Sequence, residues 1–308
     1  MVWGKRMRKK TWEANNYCIT FIDLLGQRKA YAKEGFLPRF ASEEDKQAFF
    51  GTIKQTIRPI HDLQKSAAAM VAAVIAPRSS TREMLPEDFR STFDQMQLTK
   101  IKQQRWSDGL VFYTSIAASE MKCPINSLFT MFCTAGSLCF LGLGKRMPLR
   151  GAIDIAWAVE LHEGELYGAA LAKAYEYESL IAQYPRIVVS DRTVEYLEAF
   201  RRNPESDHFS QFNKVLADLC LSMLGQDADG YLFLHYLGED FRAAVSKGQH
   251  PYLYDKALEF IQAESERIRR DREVKLALRY SHLHSYFLAH PPAEHITNEA
   301  PTIQGGRA

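Results

Sequence analysis

Residues 123–144 carry no charge at all, and Lys145 and Arg146 follow at once. A run of this length suffices to span a hydrocarbon layer. It also contains Pro124, Asn126, Ser127, Thr130, Thr134, Ser137 and three glycines, Gly136, Gly142 and Gly144. Its large residues (Leu128, Met131, Phe132, Leu138 and Leu141) recur at helical spacing with small residues between them. The stretch is therefore expected to form a helix buried in a core or at a dimer interface, not a membrane span.

The segments around it alternate in kind. The apolar run 17–22 (YCITFI) is rich in strand formers and stops at Asp23, as a buried central strand would. Leu24-Leu25-Gly26 then reads as a tight turn, with a helix beginning at 27–30. A longer helix is expected from about Ser42, with Glu43, Glu44 and Asp45 favouring its start. Its apolar stripe is Phe49, Ile53, Ile57 and Ile60, with a kink at Pro59, and it continues towards Ala76. Residues 77–86 read as an inserted loop.

Two strands, 98–106 and 110–114, flank Asp108-Gly109, a strong hairpin signal. A bent strand at 149–161, a helix at 168–182 and a strand at 186–190 follow. Beyond about 205 helical patterns dominate, notably 252–271 and 272–288, with a short strand at 231–236. The expected fold is an α+β mixed sheet with flanking helices and a helical C-terminal extension. The expected division is a domain at 1–204, with a basic tail at 1–12 and an insertion at about 65–98, then a helical part at 205–290. The tail 291–308 is rich in Pro, Gly and polar residues and is expected to be disordered.

Composition narrows the function classes. With 46% hydrophobic and 25% charged residues among 308, the chain is ordinary for a folded protein. A net charge of +2 is too small to make nucleic acid or an anionic membrane the main partner. The basic cluster Lys5, Arg6, Arg8, Lys9 and Lys10 reads as a solvated tail. Five cysteines without a close pair argue against a zinc site or a disulfide framework and for a reducing compartment. With no secretory signal apparent, a cytoplasmic location is expected.

Asp23 is the residue with most chemical content. A carboxylate at the end of a buried strand is costly unless something pairs with it, and free backbone N–H groups nearby suit phosphate. The competing role is a plain cap or turn aspartate. Asp108 is also what a two-residue turn wants in any case. Convergence of the two would make a site for hard divalent cations. Glu176 and Glu178 read as solvated helix positions, and Asp227-Ala228-Asp229-Gly230 reads as a turn that lacks the later ligands of a calcium loop.

In order, FIDLLG (21–26), WSDGLV (106–111), RGAI (150–153), YGAALAKAYEYES (167–179) and PRIVVS (185–190) resemble the landmarks of the class III nucleotidyl cyclases. The set is most similar to the pyrimidine cyclases of bacterial Pycsar anti-phage systems, over about 17–190. The resemblance implies a ferredoxin-like cyclase fold and a pair of Mg²⁺ or Mn²⁺ ions on Asp23, Asp108 and the Leu24 carbonyl. It implies substrate contacts from Phe21, Leu25, Gly26, Gln104, Arg105 and Glu165, with the backbone at Leu25 and Gly26 holding phosphates. It implies a homodimer with composite sites, using the uncharged helix in packing, and a separate effector activated by the cyclic nucleotide.

The chain departs from the family pattern in three ways. The interval between Asp23 and Asp108 is long. The Asn and Arg that usually stabilise the transition state are replaced by Ala172 and Glu176, leaving Arg105, Arg150 and Lys173 as basic candidates. The base-reading positions, Gln104 and Glu165, are not a purine set, which favours a pyrimidine substrate, UTP being taken ahead of CTP. The alternatives are a purine cyclase, an inactive cyclase-like nucleotide sensor, a phosphotransferase (against which Leu25 stands where a second aspartate is needed) and an interaction module built on the C-terminal helices.

Overall fold

Strand alternation and one charge-free helix generate the architecture. The computed structural model describes residues 12–26, 39–75, 83, 86–96, 101–106, 109–116, 122–162, 164–202, 206–245 and 251–292. The run that ends at Asp23 extends in both directions to form β1 (Ala14–Leu24). It pairs antiparallel with β3 (Gly109–Ser115) on one side and β4 (Leu149–His162) on the other.

β2 (Lys102–Trp106) completes a hairpin with β3. Its innermost described pair is Trp106 with Gly109, so residues 107 and 108, rather than 108 and 109, join the paired ends. β6 (Ile187–Val189) lies parallel to β4. The short β7 (Leu224–Gln226) and β8 (Leu232–Leu234) extend that edge. β5 (Glu165–Tyr167) folds back on the far end of β4 through a register irregularity between Glu160 and His162. The result is an α+β fold with a mixed eight-stranded sheet in the order β2-β3-β1-β4-β6-β8-β7.

Among helices, α1 (Glu43–Ile75) starts where Ser42 Oγ accepts from the Asp45 N–H at 3.1 Å and continues through Pro59. Its expected stripe is not its docking face. Phe49, Ile53 and Ile60 are half-buried and Ile57 is exposed, whereas Leu63 and Ala67 further on are buried. α2 (Glu87–Met96) occupies part of the expected insertion, and its Phe89 stacks on His208 at 4.3 Å between ring centres.

The uncharged stretch is α3 (Pro124–Gly144), the one helix among the described residues long and apolar enough to cross a bilayer. It is a core helix: 78% of its most apolar window is buried within the fold. Pro124 opens it, and the first-turn Ile125 N–H is capped by Asn213 Oδ1 from α6 (His208–Ser222) at 3.3 Å. Its small residues are functional in packing, since a Cβ at Gly136 would run into the Phe241 ring. Of the two expected settings, a core or a dimer interface, the fold within one chain provides the core.

α3 packs on β1, β4 and β6 and against α1, α6 and α8 (Pro251–Arg270). α4 (Ala169–Glu176), continuing into a π turn at Tyr177–Ile181, covers part of the opposite face. α5 (Asp191–Arg202), α7 (Glu239–Val245) and α9 (Val274–Ala289) complete the helices. Residues beyond 205 are largely helical, and they also contribute β7 and β8 to the same sheet and Ile268, Leu283 and Phe287 to the same core. All five cysteines are free and buried, and burial pushes the thiols of Cys123 and Cys133 up to about 11 and about 12.

Candidate active site

The site is built at the end of β1. Tyr17, Ile19, Phe21 and Asp23 alternate onto the face under α4, while Cys18, Ile22 and Leu24 enter the core under α3. Asp23 is thus the last residue of its row, and its side chain keeps 26% exposure. Arg150 lies directly opposite it on β4, with Nη2 3.7 Å from Asp23 Oδ2.

On its other side Arg150 meets Glu178 through Nε. Glu178 is buried, at 1% exposure, which corrects the expectation of a solvated position. The signal was present: Ala170, Leu171, Ala174, Glu178 and Ala182 follow one another at helical spacing and all are buried. A carboxylate on such a stripe calls for a cation, and Arg150 is that cation.

Gly26 takes φ +95° to turn the chain after Leu25. The Leu25 N–H donates to Pro148 O at 2.9 Å, which removes it as a phosphate donor. Among the described residues the Gly26 N–H has no such partner. Leu24 buries its side chain, so only its backbone faces the site. Leu25, Gly26 and Arg150 line one side of a cleft of about 360 Å³.

The other expected residues are placed as follows. Gln104, Val111, Phe21 and Ala152 form one rank across the sheet, so Gln104 lies on the Asp23 face, two strands from β1 and roughly 10 Å away. Gln104 Oε1 accepts from the Leu166 N–H at 3.2 Å, which ties β2 to β5, the strand that carries Glu165. Phe21 is buried beneath Tyr175, with ring centres 5.6 Å apart, so its ring is a packing element and not an open contact. Arg105 pairs with Leu110 through the backbone; Ser107 and Asp108 lie outside the described residues. Ala172 and Glu176 are exposed, and Lys173 is spent on Glu176 at 2.7 Å. Of the basic candidates whose side chains are described, Arg150 is the one beside Asp23.

No protein-family model and no curated protein matches this chain.

The far end of the same face carries a second polar group. Lys102 Nζ bonds both Glu160 oxygens at 2.7 Å, and Tyr113 Oη donates to Glu160 at 3.2 Å. Burial alone would raise the Glu160 carboxyl. Lys102, the Gly164 N–H and Tyr113 outweigh it and hold the group below its ordinary value.

The metal expectation can be tested against the donor set. Hard divalent ions need oxygen ligands, and Asp23 with the Leu24 carbonyl offers that chemistry at a solvent-reachable strand end. Among the described residues no group of three or more His, Cys, Asp or Glu side chains gathers to hold an ion. The donor type fits, and Asp108, the second expected carboxylate, lies outside the described residues.

Proposed function

We propose that this chain is a class III-like nucleotidyl cyclase that converts a pyrimidine nucleoside triphosphate, UTP in preference to CTP, into its 3′,5′-cyclic monophosphate and pyrophosphate. The observation that carries this reading is the position of Asp23: a partly open carboxylate at the end of a central strand, next to the β2–β3 hairpin end and at the edge of a cleft lined by arginines.

In the reaction the ribose 3′-oxygen bonds to the α-phosphorus and the bond to the β-phosphate oxygen breaks. Pyrophosphate leaves and the hydroxyl proton passes to solvent. Divalent ions held by Asp23, Asp108 and the Leu24 carbonyl would acidify the 3′-hydroxyl and neutralise triphosphate charge. Arg150, held by Glu178, positions the Asp23 carboxylate. The Gly26 amide, which has no backbone partner among the described residues, would donate to phosphate. Gln104, fixed by the Leu166 amide, keeps its NH₂ to donate to a uracil carbonyl.

The wider reading is a cytoplasmic homodimer with composite sites whose product activates a separate anti-phage effector. Exposed Ala172 and Glu176, which lack the usual transition-state groups, favour one second reading: a sensor that binds the triphosphate without turnover.

The test is direct. The purified chain is incubated with each ribonucleoside triphosphate and Mn²⁺, and pyrophosphate and cyclic product are measured. UTP is expected to turn over fastest, and Asp23→Ala and Asp108→Ala to abolish it with folding intact. Absence of turnover with all four ends the cyclase reading, and retained UTP binding then selects the sensor.

A further inference from the structure

The cleft beside Asp23 has a second wall, supplied by the C-terminal helices. Gly26, Arg146 and Arg150 line one side, and Arg267, Arg279 and Tyr280 of α8 and α9 line the other. Two of its four arginines are already neutralised. Arg150 meets Glu178 and Asp23, while Arg267 meets Glu264 and Asp271 at 2.9 Å and Glu273 at 3.4 Å.

The other two arginines have no carboxylate partner among the described residues. Arg279 Nη2 donates to the neutral Gln183 Oε1 at 2.7 Å, and Arg146 lies over the Phe260 ring at 5.8 Å. Glu264 is the carboxylate in the lining, and Arg267 takes it. Two uncompensated guanidinium groups therefore border a half-enclosed space that also holds Phe260 and Leu276.

Arg146 is held at a backbone cost, and Arg279 by the anchoring of its helix. Arg146 follows α3 in the left-handed backbone region, φ +61°, where a residue with a Cβ is strained and glycine is usual. Arg279 sits three residues before His282, whose Nε2 meets Asp227 Oδ1 at 2.5 Å. Asp227 in turn accepts from Tyr184 and Arg186, so α9 is tied to the strand that follows the π turn. The 227–230 segment is a turn, as expected, with Gly230 N–H bonded to Asp227 O at 2.9 Å; its nearly buried Asp227 and its exposed Asp229 both pair with Arg186.

We infer that this cleft binds an oligophosphate group, with Arg146 and Arg279 as opposing clamps, so that the C-terminal helices complete the phosphate side of the site. Guanidinium forks match phosphate oxygens in pairs, and adjacent phosphoryl groups supply the paired charge that one carboxylate ligand lacks. The inference rests on the cyclase reading for the source of the phosphates, the tail of a nucleoside triphosphate. Free inorganic oligophosphate has the same chemistry.

Titration calorimetry on the full chain separates these cases. Inorganic tripolyphosphate and UTP are titrated into the wild type, Arg146→Gln, Arg279→Gln and Arg279→Lys at one salt concentration. Each glutamine variant is expected to weaken tripolyphosphate about tenfold, and Arg279→Lys to weaken it less, because it keeps the charge and loses the fork. Displacement of tripolyphosphate by UTP identifies the nucleotide tail as the ligand; binding that UTP does not displace identifies an inorganic oligophosphate. Unchanged affinity in both glutamine variants overturns the inference, as does a wild type that does not bind tripolyphosphate. Cyclase failure has its own signature: tripolyphosphate binding that depends on Arg279 alongside no cyclic product from any triphosphate.

Discussion

The two faces of the central sheet are made by alternate residues of the same strands, and they are built on different physics. Under α3, Ile22, Leu110, Phe112, Leu149 and Ile153 meet Leu128, Phe132 and Cys139 in a continuous apolar layer. Under α4 the apolar cluster is small, and charged groups surround it: Asp23–Arg150–Glu178 at one end, Lys102–Glu160 at the other, and Asp154 with Arg192 at the flank. The first face earns stability from area removed from water. The second keeps costly charges that it must neutralise one by one, which a protein retains where it needs chemistry or specificity.

Four changes probe that contrast. The largest effect is expected for Phe132→Ala, which empties a fully buried site on the apolar face. It should cost about 3–5 kcal/mol in urea unfolding, with ligand affinity per folded molecule unchanged. A loss below about 1 kcal/mol would mean that this face is not the main source of stability.

Arg192→Ala comes next. It strands the Asp154 carboxylate, which has no exposed surface and retains Ser190 and the Ile155 N–H as partners. A cost of about 2 kcal/mol is expected, and Arg192→Lys should recover part of it.

The third change is in pH. His235 bonds Tyr286 Oη through Nδ1 at 2.9 Å, and burial, then His290 and Arg242, lower its pKa from 6.5 to about 4. The unfolded chain thus takes up a proton that the folded chain refuses between those values. Stability should be fully present above pH 6.5 and fall as pH drops towards about 4, lowering Tm by a few degrees. His235→Asn should flatten that part of the profile relative to the parent chain.

The smallest effect is expected for Lys102→Met at the partly exposed far end of the charged face. It should cost under about 1 kcal/mol, and the cost should shrink in high salt. An effect as large as that of Phe132→Ala would erase the distinction between the faces.

What was legible in the sequence was local. The apolar run 17–22, the hairpin signalled by Asp108-Gly109, the charge-free helix and the strand at 149–161 each depend on residues a few positions apart, and local sequence encodes them. Glu178 was legible too, through the stripe it shares with Ala170 and Ala174, but a helix read as solvated hid it. The Asp23–Arg150 register, the loss of the Leu25 amide to Pro148, the burial of Phe21 under Tyr175 and the joining of β7 and β8 to the main sheet were not legible. Nor was the cleft, since Arg146 and Arg279 have no shared motif and line one cleft only because α9 docks there. Such pairings join residues from distant parts of the chain. They are settled by which distant surfaces pack, a choice that no single segment contains. By itself, then, the sequence determined the elements and singled out Asp23; tertiary packing decided which charges surround it.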